Sequence, residues 1–244
     1  MFGFKRKNHA GKSLIQQCAK TQANNVIVAT ESQNDSKLYD YERCQSVMTA
    51  STINNPTHRI AEAALEIEAK DDDVIVCVQG DYPLIKTELI DDLANCLKSN
   101  ATADMATIST PIKNALDLLS SDVIKVKKDN DHFATNFSRF ANTDDVDMLE
   151  PSEHIITLDD KFNDEIEEIY QSHRRHIDIW AYRRSLLKAW KSLAQSPLEI
   201  IERIEQIRAF TCNKKIFVLE MDVNMQNGID TIQDLKEARE AAIQ

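Results

Sequence analysis

Two short β-branched runs, VIVA at 26–29 and VIVCV at 74–78, flank a segment at 59–70 whose apolar residues Ile60, Ala63, Ala64 and Ile67 recur at helical spacing. Apolar runs without alternation suit strands buried on both faces. A strand, helix, strand order then implies an α/β sheet with parallel neighbours. Further strands are predicted at 105–109, 123–127, 176–182 and 215–219, and helices at 86–99, 184–193, 198–210 and 231–242. Thr231 is placed to cap the last of these, with Asp234 in the capping-box position. No repeat or Pro/Gly-rich linker divides the sequence, so 1–244 reads as one domain with an acidic excursion at about 142–170.

Several function classes fall to composition. With 29 basic and 40 acidic residues the net charge is −11, which argues against a protein that coats nucleic acid. No apolar run is long enough to span a membrane, and the basic start, 1–11, lacks the apolar stretch of a secretory signal, so a cytoplasmic protein is expected. Cys18, Cys44, Cys77, Cys96 and Cys212 are widely spaced without a CxxC pair, and read as reduced, packed thiols.

The sharpest local motif is Gln79-Gly80-Asp81-Tyr82-Pro83. It sets a carboxylate at the C-terminal end of a buried strand, where ligands bind in open α/β sheets. Glycine there permits close approach of a ligand, and Asp is a hard oxygen donor for Mg²⁺; an ordinary turn is the plainer account. Asp230, in Asn227-Gly228-Ile229-Asp230, precedes a helix and suits either the helix dipole or a second metal carboxylate beside Asp81. Lys5, Arg6, Lys7 and Lys12 form a basic cluster able to meet a polyphosphate or simply water. Gly11-Lys12-Ser13 is not a P-loop, because Arg6 stands where its first glycine belongs and no strand precedes it. His173-Arg174-Arg175-His176 has no third ligand nearby for zinc; it suits an anion or an exposed charged loop.

Taken in order, VIVATES at 26–32, SVMTAS at 46–51, NPTHRIAEA at 55–63, VIVCVQGDYPLI at 74–85, FSR at 137–139, HIDIWAYR at 176–183, SPLEIIERIEQIR at 196–208 and NGIDTIQDL at 227–235 resemble the 3-deoxy-manno-octulosonate cytidylyltransferase (CMP-Kdo synthetase) family of lipopolysaccharide biosynthesis. The resemblance implies a Rossmann-like mixed, mostly parallel sheet flanked by helices, of the nucleotide-diphospho-sugar transferase type, and a homodimer. It also implies Mg²⁺-dependent attack of a 2-keto sugar acid such as Kdo on CTP, giving a CMP-sugar and pyrophosphate. By position, Asp81 and Asp230 match the family's catalytic, metal-binding aspartates. Lys12, Arg59 and Gln79 fall in its nucleotide-binding segments, and Arg139, His176, Tyr182 and Glu199 match segments around the sugar acid.

Departures from the pattern define the other expectations. The family's opening strand and PARxxSxRxPGKPL loop have no full counterpart in Met1-Phe2-Gly3-Phe4 and the residues after it. An empty central slot would leave backbone groups unpaired at about 1 to 3 kcal/mol each, so the expectation is a start lying upstream, ahead of a stub strand at 1–5 or closure of the neighbouring strands. Two other functions stay in view on these grounds: a non-catalytic paralogue that binds a sugar acid or an active subunit, and a cytidylyltransferase for a sialic-acid-like sugar.

Overall fold

The computed structural model describes residues 14, 17–32, 44–53, 55–82, 84–112, 115–140, 173–223, 228–229 and 232–241. The excursion at 142–170, the basic residues Lys5, Arg6, Lys7 and Lys12, the stub strand at 1–5, the cap at Thr231 and the carboxylate Asp230 all lie outside the described residues. In chain order the elements are β1 (Val26–Thr30), β2 (Cys44–Met48), α1 (Pro56–Ala63), β3 (Val74–Val78), α2 (Thr87–Ser99), β4 (Met105–Pro111), α3 (Ala115–Leu119), β5 (Lys125–Lys128), β6 (Ala134–Ser138), β7 (Arg174–Arg183), α4 (Arg184–Ala189), α5 (Pro197–Glu202), α6 (Ile207–Thr211), β8 (Ile216–Glu220) and α7 (Ile232–Ala241). They fall into two compact units: Met1–Ala106 with Ile179–Ala194 and Met225–Gln244, and Thr107–Asp178 with Gln195–Asn224. None of the described helices is long and apolar enough to cross a membrane.

In the first unit β1 pairs in parallel with β2, from Val26↔Cys44 to Thr30↔Met48. Strand β3 runs antiparallel to the second half of β7, from Val74↔Arg183 to Val78↔Ile179. Helix α2 packs on β3 and buries Leu89, Ile90, Leu93 and Leu97, one face at helical spacing. The helix expected at 59–70 runs instead over Pro56–Ala63. Its start is set by Asn55, whose Oδ1 accepts from the His58 N–H at 2.9 Å, and by Pro56 in the first turn. Just past its end, Arg184 donates to the carbonyls of Ala64 (3.0 Å) and Ile67 (3.3 Å), supplying from elsewhere in the fold the partners that further helical turns would have given. Arg183 does likewise at the end of α2, reaching Leu97 O in its last turn and Asn100 O and Ala103 O beyond it.

The second unit orders its strands β6-β5-β7-β4-β8. Strand β5 lies between two antiparallel neighbours, so Lys125 is opposite both Ser138 and Arg175. The hairpin to β6 is closed by Asp129, whose Oδ1 accepts from the N–H groups of Asp131 (3.0 Å) and Phe133 (2.8 Å), with His132 at φ 65°. Ile108, Leu118, Val126, Phe137, Ile207 and Val218 fill the interior. The single helix expected at 198–210 is broken into α5 and α6 at Arg203, which takes a left-handed conformation with φ 54°. A buried pair requires that break. Glu199 and Arg208 are 9 residues apart, which on a continuous helix is about 180° around the axis, yet their charged groups meet bidentately at 3.0 and 2.7 Å.

Candidate active site

Strand β3 delivers Gln79, Gly80 and Asp81 at its C-terminal end, in a turn closed by the Tyr82 N–H donating to Gln79 O at 3.3 Å. Asp81 is half-buried, and its Oδ1 is withdrawn from solvent. The backbone carbonyl of Asp81 accepts from the Ile229 N–H at 2.9 Å. Residues 228 and 229 thereby come against the QGD turn across most of the sequence, and Ile229 is the chain neighbour of Asp230. Of the two glycines concerned, Gly80 has open space where a Cβ would point, which agrees with an approach route for a ligand. Gly228 is the crowded one. A Cβ there would lie 2.7 Å from Asp81 Oδ2, 3.2 Å from its Cγ and 3.3 Å from the Tyr82 ring, while its φ is not positive. Glycine is needed at 228 for space alone, so that a carboxylate can lie on bare backbone. This hard oxygen donor, partly out of water and set against a side-chain-free stretch of chain, fits a divalent cation that takes one or two protein carboxylates and completes its shell with phosphate oxygens and water.

Arg59 and Tyr182 belong to the same unit as Asp81. From α1, the Arg59 guanidinium donates to Thr49 Oγ1 (2.6 Å), Ile53 O (2.6 Å) and Glu31 Oε2 (3.1 Å), tying the end of β1 to the 49–53 turn. Gln79 is half-buried at the end of β3. Tyr182 is wholly interior: its hydroxyl meets Thr57 Oγ1 at 3.2 Å, and its ring stands edge-on to Trp190 at 6.0 Å.

Arg139, His176 and Glu199 belong to the second unit. Arg139 is held at nearly every polar group. Its N–H donates to Glu202 Oε2 (2.8 Å), its Nε to Glu202 O (2.9 Å) and its Nη1 to Ser121 O (3.0 Å), while its carbonyl accepts from Lys125 Nζ (2.6 Å). The other Glu202 oxygen accepts from the Ser138 hydroxyl at 2.8 Å. His176 is 6 % exposed, its Nε2 is 2.7 Å from Thr107 Oγ1, and its ring is perpendicular to Phe137. Burial, and then the nearby Arg139 charge, hold its pKa down at about 3, so the ring is neutral at physiological pH. Glu199 accepts from Arg208 through both oxygens and from Gln195 Nε2 at 3.1 Å, and the hydrogen bonds from Arg208 raise that guanidinium's pKa. The four-residue run at 173–176 is not an exposed loop. His173 and His176 are buried, Arg174 donates to Ser109 Oγ (2.9 Å) and pairs with Glu220 (3.1 Å), and Arg175 lies 3.8 Å from Asp117.

Three residues of this arrangement escape sequence reasoning. Lys125, 3 % exposed, carries its ammonium among backbone carbonyls; burial lowers its pKa to about 8, Glu202 opposes that shift and Arg139 adds to it. A lysine two residues from Val123, on the same face of a predicted strand, was the available signal. Glu202 is one of three acids, with Glu199 and Glu205, in the run 196–208, and Gly228 stands just ahead of a predicted helix, so neither residue carries a local signal of its role.

A cytidylyltransferase family profile matches residues 8–216. Among curated relatives, the 3-deoxy-manno-octulosonate cytidylyltransferase of Psychromonas ingrahamii is 33% identical over 234 residues, covering 93% of this chain and 87% of its own. Its counterpart from Idiomarina loihiensis is 33% identical over 237 residues, covering 96% and 89%. A solved structure of CMP:2-keto-3-deoxy-manno-octonic acid synthetase complexed with CTP superimposes with a TM-score of 0.78 at 21% identity, over 96% of this chain and 87% of that one. A 4-diphosphocytidyl-2C-methyl-D-erythritol synthase from Anaerococcus prevotii follows at 0.57 and 12% identity, over 96% and 86%. The fold is therefore the expected α/β class, with a mixed sheet flanked by helices.

Proposed function

The chain belongs to the cytidylyltransferase family and is a nucleotidyltransferase, and from that premise we propose that it activates Kdo, or a closely related 2-keto sugar acid, with CTP. The anomeric 2-hydroxyl oxygen forms a bond to the α-phosphorus of CTP, the bond from that phosphorus to the bridging oxygen breaks, and pyrophosphate leaves with its electron pair. The hydroxyl proton passes to water. What the protein must supply is alignment and neutralisation of phosphate charge.

The observation that carries this reading is the meeting of the QGD turn with residues 228–229. Asp81, and Asp230 next along the chain from Ile229, are the residues that would hold Mg²⁺. Bound there, the cation supplies charge neutralisation for the phosphate oxygens. Arg59 and Gln79 shape the nucleotide side, the former by fixing the 49–53 turn, and Lys12 adds positive charge for the triphosphate. On the sugar-acid side Arg139 presents a guanidinium whose plane is set by Glu202 O and Ser121 O, for the substrate carboxylate. His176, Tyr182 and Glu199 are assigned to the sugar acid as supports that act from buried positions, each within its own unit. The same reading takes residues 1–244 as one catalytic domain, working as a cytoplasmic homodimer in lipopolysaccharide or surface-polysaccharide synthesis, with neither nucleic acid nor membrane as partner.

Incubation with CTP, Mg²⁺ and a panel of 2-keto sugar acids, followed by pyrophosphate release, tests it. Turnover with Kdo, abolished by chelation of the metal, is expected. If no sugar acid gives turnover while an established synthetase works in parallel, the reading fails.

A further inference from the structure

Lys125 opens β5, between the edge strand β6 and β7, with its backbone opposite Ser138 on one side and Arg175 on the other. Its side chain is 3 % exposed, a position lysine rarely occupies because an ammonium withdrawn from water must recover its lost hydration. Here the recovery comes from three backbone carbonyls: Ser120 O at 2.9 Å, Val123 O at 3.0 Å and Arg139 O at 2.6 Å. An ammonium has three donors, and these acceptors match them in number. The shortest bond reaches the residue just beyond Lys125's own register partner. It therefore ties down the chain where β6 has ended and strand pairing no longer holds it. Glu202 grips that same residue from the other side through the Arg139 N–H, as the carbonyl of 202 holds Arg139 Nε.

We propose that Lys125 is a positioning residue for the sugar acid, acting through Arg139: with Glu202 it clamps the Ser138–Arg139 turn so that the Arg139 guanidinium is preset for the substrate carboxylate. The proposal rests on the assignment of Arg139 to the sugar acid made above. Two arguments favour a positioning role over simple filling of the core. A methionine would fill the same volume without the desolvation that lowers the lysine's pKa to about 8, so core packing gives no reason for a charge. The group also joins its own leading turn, through the carbonyls of 120 and 123, to a second stretch of chain at 139, which an apolar side chain cannot do directionally. The charged groups bearing on it are Glu202 from α5, which favours the ammonium, and Arg139, which disfavours it.

Steady-state kinetics of the full chain with CTP, Mg²⁺ and Kdo decide the matter. Lys125→Met is expected to raise KM for Kdo about 10-fold, with kcat and KM for CTP changed less than about 2-fold, and Lys125→Gln, which retains two donors, to fall between. Wild-type KM for Kdo should itself rise from about pH 7 to about 9.5 as the ammonium is lost, with KM for CTP as the internal control, and Lys125→Met should lack that rise. A lowered Tm with both KM values unchanged, or equal losses for both substrates, makes Lys125 purely structural and overturns the proposal. Should the methionine variant not fold, a wild-type KM for Kdo that stays flat over the same pH range overturns it equally. Absence of any turnover by the wild-type protein would instead remove the functional reading itself, a result separate from either of these.

Discussion

The turn after β3 and the turn after β6 both present a charged side chain at the end of a strand, and they hold it by opposite means. Asp81 is accommodated by an absence of atoms: Gly228 has no Cβ, so the carboxylate lies against bare backbone, with the fixed contact made by main chain between Asp81 and Ile229. Arg139 is held by saturation, with its N–H, its C=O and two of its side-chain nitrogens all occupied by Glu202, Lys125 and Ser121. On the proposed reading, the first arrangement suits a group that would exchange water for a cation and its phosphates during each cycle. The second suits one that must keep a single orientation while a rigid anion arrives.

The largest effect should come from the first region. Asp81→Asn removes a formal charge with little change in shape, so Tm should hardly move while turnover falls by about 10⁴-fold, roughly 5.5 kcal/mol of transition-state stabilisation. Melting curves and single-turnover assays on the same preparation separate the two quantities. A destabilised variant with full activity per folded molecule would reduce Asp81 to a turn residue and dissolve the comparison.

Next comes the saturated region. Arg208→Met leaves the Glu199 carboxylate, 5 % exposed, without its bidentate partner, at a cost of about 3 to 5 kcal/mol in stability. Chemical denaturation should show it, and pairing the change with Glu199→Leu should recover most of the loss. If the double variant is no better than the single one, the pair does more than satisfy itself in the interior.

Gly228→Ala sharpens the contrast. A methyl 2.7 Å from Asp81 Oδ2 must push the carboxylate aside or shift the backbone, and we expect a stability loss of about 1 to 3 kcal/mol. Weaker stabilisation by Mg²⁺ and CTP in thermal melts should accompany it. Gly80→Ala, with open space around its Cβ, should leave the unliganded melt unchanged. Equal destabilisation by the two substitutions would show that space at 228 is not what positions Asp81.

What the sequence made legible follows the same division. The QGD turn could be read because strand, glycine and carboxylate are consecutive, and β3 begins and ends where its apolar run does. That Gly228 and Ile229 meet that turn is a tertiary fact with no local signature. Strands β2 and β6 carried no readable pattern, since Gln45, Ser46, Met48 and Thr135 are exposed and interrupt any alternation. Helix α5 announced its start through Ser196 and Pro197, but its end at Arg203 is set by where Arg208 must go, and helical periodicity runs straight through that point. Lys125 and Glu202 were hidden for a related reason. A charged residue in a sequence reads as surface until the partners that bury it are seen.

The smallest effect concerns His176, which stands at the back of the saturated region against Thr107 and Phe137. Its native pKa of about 3 lies below the ordinary 6.5, so between those values the unfolded chain takes up a proton that the native protein refuses. Stability contributed by the neutral ring is complete above 6.5, is lost progressively as pH falls from there, and has gone once the folded pKa is passed. The slope approaches one proton, about 1.4 kcal/mol per pH unit, so near pH 5.5 the loss is only beginning and amounts to about 1 kcal/mol. Carboxylates also weaken native proteins in acid, which makes the informative quantity a difference: unfolding free energy against pH for the wild type and for His176→Gln, which keeps a polar group beside Thr107 and does not titrate. The variant should be less stable at pH 7 and should lose less on acidification, with the two curves converging between pH 6.5 and pH 4 at a slope that approaches one proton. Parallel curves would mean that His176 takes up its proton in the folded state. The saturated region would then tolerate a second cation beside Arg139, and its contrast with the yielding carboxylate at Asp81 would be one of degree.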